Sequence, residues 1–142
     1  RHWIAGGWAL YSPRILQLGQ LKLFDKFVIS VPWHRLSSLN EEFTQDSYQL
    51  WKGFVSPRTA LSYDATRAVI EALEKDNKPT RKKIKEILAE PNFATEGATG
   101  TIKFNEYGDR FDPPVVLVEV ISCPNQQYGL AFAPVDSNQC EN

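Results

Sequence analysis

Methionine is absent from the 142 residues, and cysteine and histidine occur only twice each. The chain opens on Arg1-His2-Trp3, so a processed or truncated product is expected. Its first segment has neither the charged region nor the long apolar core of a signal peptide. No apolar run approaches the roughly 20 residues that span a bilayer. Charge of one sign is not in excess either. The net charge of -1, with acids and bases mixed, excludes a basic block for nucleic acid or an anionic membrane. A phosphate loop, a dinucleotide fingerprint and a nucleophile elbow are all missing, and no cofactor is expected. Two cysteines without a second Cys or His pair at ligand spacing argue against zinc, so no metal is expected.

What is present suits a folded domain. Apolar residues make up 42% of the chain and charged residues 23%, enough apolar surface for one core. A small molecule or another protein is the expected partner. Cys123 and Cys140 sit in a Pro/Asn/Gln-rich tail. They either pair across a short loop, worth about 3 kcal/mol in the chain-entropy model and implying an oxidising compartment, or remain two idle thiols.

Short strands and helices alternate along the chain. Trp3-Ile4-Ala5 reads as a brief buried strand before the flexible Gly6-Gly7. Ser12-Pro13 opens a short helix that Gly19 ends, and Phe27 to Val31 is a β-branched strand stopped by Pro32. Asn40 caps a helix with Phe43, Ser47, Leu50 and Trp51 inward and Gly53 at its end. Ser56-Pro57 opens the longest helix. Leu61, Ala65, Ala68, Val69, Ala72 and Leu73 form its expected apolar face, with Glu71 and Lys75 paired outside. Thr80 caps a basic helix, read as a solvated face, that Pro91 stops. Gly100 to Phe104 and Val115 to Ile121 are strands joined through turn residues around Gly108. The class is α/β or α+β.

Four motifs stand in a telling order: Ser62-Tyr63-Asp64-Ala65, then Glu96-Gly97-Ala98-Thr99-Gly100 running into Thr101-Ile102-Lys103-Phe104, then Gly108-Asp109-Arg110, then Val115 to Val118. This order resembles the type I periplasmic binding proteins, the extracytoplasmic solute-binding components of ABC importers, and especially their branched-chain amino-acid and amide-binding members. The resemblance covers Trp3 to Ile121. It implies an α/β fold that is the C-terminal part of a two-lobed type I periplasmic-binding-protein fold. Residues 1–31 would end the second lobe, 32–93 would belong to the first lobe after an interlobe crossing, and 94–121 would return to the second. Residues 122–142 would be a tail closed by a disulfide if the cysteines pair.

The resemblance implies a binding protein and not an enzyme, which takes a small polar solute, an amino acid or amide, between its lobes. Delivery to an ABC permease would follow, in the periplasm or outside the cell. A ligand-sensing receptor ectodomain of the same fold is the alternative, and a small hydrolase using His34 a third reading. Trp8, at a strand end, would wall the ligand or fill the core, and Tyr11 follows on the same loop. Arg58 would grip a carboxylate at the start of the long helix, beside Thr59 and Tyr63, whose ring could equally pack inward. Asp64 reads as a carboxylate favoured by the helix dipole, and Gly97, Gly100 and Gly108 as backbone devices. Apolar surface meant for a missing half would favour self-association.

Overall fold

The computed structural model describes residues 2–135, 137, 139 and 140. Arg1, Asp136, Asn138, Glu141 and Asn142, within the expected segments 1–31 and 122–142, lie outside the described residues. Two compact units emerge, one made of Arg1–Ser37 with Val115–Asn142 and one of Ser38–Pro114.

The first unit is built on a four-stranded sheet in the order β1 (Ile4–Gly7), β2 (Phe27–Val31), β5 (Val116–Ser122), β6 (Leu130–Pro134). β1 runs parallel to β2, and the other neighbours are antiparallel. Alternate residues explain its core: Ile29 and Val31, Val118 and Val120, and Leu130 and Phe132 share one buried cluster, completed by Leu16 and Phe24. Leu16 comes from the four-residue helix α1 (Pro13–Leu16), which Ser12 caps and which Gly19, at φ +70°, follows. β1 is not the buried strand expected from Trp3-Ile4-Ala5. It is the sheet edge, and Trp3 and Ile4 are exposed.

β6 lies in the segment read as a tail. Its five residues are all buried and pair with Val118 to Ser122. The loop between the strands turns at Gly129, φ +65°, and the disulfide between Cys123 and Cys140 ties the end of the chain beside it. Described cysteines with free thiols are absent.

The second unit holds the helices α2 (Glu41–Trp51), α3 (Pro57–Glu74) and α4 (Arg81–Leu88), and the hairpin of β3 (Thr95–Gly97) and β4 (Gly100–Ile102). Asn40 and Thr80 cap α2 and α4 by accepting hydrogen bonds from the amides of Phe43 (2.9 Å) and Lys83 (3.2 Å). α2 ends on Lys52 in the left-handed conformation, φ +53°, one residue before the expected Gly53. Glu71 and Lys75 pair at 3.7 Å on α3 as expected.

Two helical faces differ from expectation. Phe43 and Ser47 are buried on α2, but Leu50 and Trp51 are exposed. On α3 the buried stripe is Pro57, Ala60, Asp64, Ala68 and Ala72, while Val69 and Leu73 are partly exposed. On α3 the reason is Asp64. A carboxylate in the middle of the buried face hid the true helical period and moved the apparent apolar face sideways.

The chain leaves the first unit after Ser37 and re-enters it at Val115. Residues 94–114 stay in the second unit because β3 and β4 pair with each other, and Phe93 and Ile102 join its core with Ala68, Ala72 and Ile87.

Candidate functional site

Asp64 organises the second unit. One carboxylate oxygen accepts the amide hydrogen of Ala98 at 2.6 Å. The other accepts the Thr99 hydroxyl and the Nη1 of Arg110, the latter at 2.9 Å. Arg110 also donates to the Thr99 hydroxyl and to the carbonyls of Thr99 and Thr101, both at 3.3 Å. A buried carboxylate is tolerated only with such partners. Gly97 is required here for space: a Cβ would collide with the Asp64 carboxylate and stand 2.7 Å from the Ile102 methyl. Asn40 completes the frame, since its Nδ2 donates to the Gly97 carbonyl at 3.1 Å. The Tyr-Asp-Ala, Gly-Ala-Thr-Gly and Gly-Asp-Arg motifs therefore meet in one network that fixes the hairpin to α3 and the start of α2.

That frame supports a groove of about 630 Å³ between α2 and α3. The size is that of a small-molecule site. Helical spacing brings its walls together. Glu42, Asp46 and Leu50 form one α2 row, Phe43, Ser47 and Trp51 the next, and Thr59, Tyr63 and Arg67 face them from α3. The Phe43 and Tyr63 rings touch across it with centroids 4.8 Å apart.

Of the residues singled out by sequence, Thr59 and Tyr63 line this groove, and Tyr63 is partly exposed as well as packed. Arg58 is exposed and is not among the lining residues. Trp8 and Tyr11 belong to the first unit. Trp8 begins the short 3-10 turn after β1 and is 41% exposed, so it is not a core tryptophan. Tyr11 packs inward instead, stacked on Phe132 at 4.6 Å and edge-on to His34 at 6.0 Å.

His34 does not present a base to solvent. It is 1% exposed, and its Nδ1 accepts the amide hydrogen of Leu36 at 3.2 Å. Burial pushes its pKa from 6.5 down to about 4, against a backbone hydrogen bond to Phe132 and with help from the Arg35 charge. Glu42, Asp46 and Glu96 are groove residues that sequence reasoning missed. The available signal was the i, i+4 spacing of two acids beside Phe43. Among the described residues, no three His, Cys, Asp or Glu side chains are placed to hold a metal ion, and no helix is long and apolar enough to cross a membrane.

No protein-family profile and no curated protein sequence matches the chain. Solved structures do. The leucine-binding protein LivK of Thermotoga maritima MSB8 aligns with a TM-score of 0.69 at 23% identity, over 92% of this chain and 36% of that one. A Rhodospirillum rubrum protein assigned to branched-chain amino acid ABC transport aligns with a TM-score of 0.64 at 18% identity, over 94% of this chain and 37% of its own. The chain thus spans little more than a third of the structures it matches. It has the α/β fold of that portion of a type I periplasmic binding protein.

Proposed function

We propose that this chain is the C-terminal part of a solute-binding component of an ABC importer, which holds an amino acid or amide in a cleft between two lobes. The observation that carries the reading is the alignment of nearly the whole chain with LivK. The unit containing the four-stranded sheet would belong to the second lobe, and Ser38–Pro114 to the first. The reading is of binding and not catalysis: His34, the base considered for a hydrolase, is buried at 1% exposure.

Trp8, exposed at the end of β1, would cover the solute's side chain, with Tyr11 as its neighbour on the same loop. Thr59 and Tyr63 would offer hydroxyls from α3, and Arg58 a guanidinium. An ABC permease in the membrane would receive the solute. The disulfide supports a periplasmic or extracellular setting, because such bonds persist in oxidising compartments. Calorimetry of the 142-residue chain with the common amino acids tests how the cleft is shared. The expected result is no binding tighter than about 1 μM, since only part of the cleft is present. Sub-micromolar binding by the chain alone would refute a cleft completed by the rest of the protein.

A further inference from the structure

The hairpin of β5 and β6 braces a turn that lies far from it in sequence. Tyr11 closes the 3-10 turn that Trp8 begins, its amide donating to the Trp8 carbonyl at 3.0 Å. The Tyr11 ring is stacked on Phe132 of β6, with centroids 4.6 Å apart and planes 28° from parallel. Phe132 is itself fixed, 6% exposed in the core cluster of the sheet and paired with Val120 on β5. A second contact comes from the same hairpin. The Tyr128 hydroxyl accepts from Gln17 Nε2 at 3.1 Å, and Gln17 caps the end of α1, the helix that follows Tyr11. The loop that carries Tyr128 is closed by a 2.8 Å bond from the Cys123 amide to the Gly129 carbonyl, and the disulfide to Cys140 anchors its first residue.

Without this brace the turn has little to hold it. β1 is the sheet edge, and none of Trp8–Leu10 is buried. A short segment with few buried contacts opens locally at low cost. The stack opposes that opening, because an aromatic pair in this geometry adds attraction beyond burial alone. Its effect reaches Trp8 through one residue: the Phe132 ring fixes Tyr11, and the Tyr11 amide fixes the Trp8 carbonyl. An indole exposed at 41% makes a better wall for a solute when its backbone is already ordered, since binding then need not order it.

We propose that Phe132 is a positioning residue, which acts through Tyr11 to hold the Trp8 turn ready for the solute. The inference rests on the solute-binding reading for the role of Trp8 and adds the element that keeps it in place. Phe132 does so from the core, without touching the solute.

The test places 5-fluorotryptophan in the 142-residue chain and follows its four indole fluorine signals. Trp8→Phe identifies the Trp8 signal. Phe132→Leu keeps the site apolar but removes the stack, and is expected to shift the Trp8 signal and sharpen it as the turn gains motion. Phe24→Leu controls for lost packing, since it removes a ring from the same core whose contact is with Phe27, and it should leave the Trp8 signal where it is. Tyr11→Leu removes the stack from its other side, so it must reproduce the shift, and it replaces Phe132→Leu should that variant not fold. Calorimetry of the intact protein with the common amino acids and their amides gives the second readout. There Phe132→Leu is expected to weaken binding about threefold or more, and Phe24→Leu to leave it within about twofold. A Trp8 signal unmoved by Phe132→Leu, or moved equally by Phe24→Leu, overturns the proposal whatever the intact protein binds. A moved signal with unchanged affinity also overturns it and leaves the transport reading standing. An intact protein that binds none of the panel removes the transport reading, and the fluorine spectra still decide whether Phe132 holds the turn.

Discussion

Replacing Gly97 by alanine puts a methyl group where the Asp64 carboxylate stands. The added carbon would collide with Oδ1, lie 2.7 Å from the Asp64 Cγ and 2.7 Å from the Ile102 Cδ1, and so meet both the buried acid and the core. Asp64 cannot move aside cheaply. It is 3% exposed and holds the Ala98 amide at 2.6 Å and the Arg110 guanidinium at 2.9 Å. Pushing it away breaks a buried ion pair from one side, which typically costs about 3–5 kcal/mol. For a unit of this size that lowers the melting midpoint by roughly 12 °C or more. Gly53→Ala is the control, since nothing lies within 4 Å of the methyl it would add, and its effect should stay within about 0.5 kcal/mol. Urea denaturation followed by circular dichroism measures both. A double-mutant cycle sharpens the test: in an Asp64→Ala background the carboxylate clash is gone and only the Ile102 Cδ1 contact remains, so Gly97→Ala should cost less than in the wild type. A Gly97→Ala protein within about 1 kcal/mol of wild type, or strictly additive effects, would refute the placement of Gly97 against Asp64.

Two further tests address the first unit. His34 is neutral in the fold at pH 7, with its pKa held down from 6.5 to about 4 chiefly by burial. The unfolded chain takes up a proton at higher pH than the folded chain. Stability from this group is therefore complete above pH 6.5, declines as pH falls toward 4, and amounts to about 3 kcal/mol. His34→Phe should flatten that decline between pH 7 and 5 in urea titrations, and an unchanged slope would count against the buried imidazole. The Cys123–Cys140 disulfide should appear in mass spectrometry of unreduced protein as a mass lower by two hydrogens, and Cys140→Ser should cost about 3 kcal/mol. Two free thiols would contradict the bond.

Local rules made much of the fold legible. Ser12, Asn40 and Thr80 act as caps because their side-chain oxygens meet first-turn amides, a relation that depends on near neighbours alone. Phe27 to Val31 is a strand because β-branched residues favour it and its face is buried. The motif order led to the correct fold class, yet not to what the motifs do. Asp64 looked like a first-turn carboxylate, and only three-dimensional closure brings it to Ala98, Thr99 and Arg110, up to 46 residues away. β6 escaped for a related reason. Leu130-Ala131-Phe132-Ala133-Pro134 has no β-branched residue and ends in proline, and its extended form comes from pairing with β5.

The candidate site was legible in part. Thr59 and Tyr63 share a face of α3 through their spacing of four, and both line the groove. The ring contacts of Tyr11 were not legible, since its partners Phe132 and His34 lie in distant segments. The exposure of Leu50 and Trp51 had no local signature either. Apolar residues at helical spacing normally mark a core, and here the same spacing lines a groove.

The proposed role is tested most directly by calorimetric titration of the intact protein containing this chain with the common amino acids and their amides. The account predicts that at least one of them binds with measurable heat and that Trp8→Ala weakens it about tenfold or more. Absence of binding across the panel, or full affinity in the Trp8→Ala protein, would contradict it.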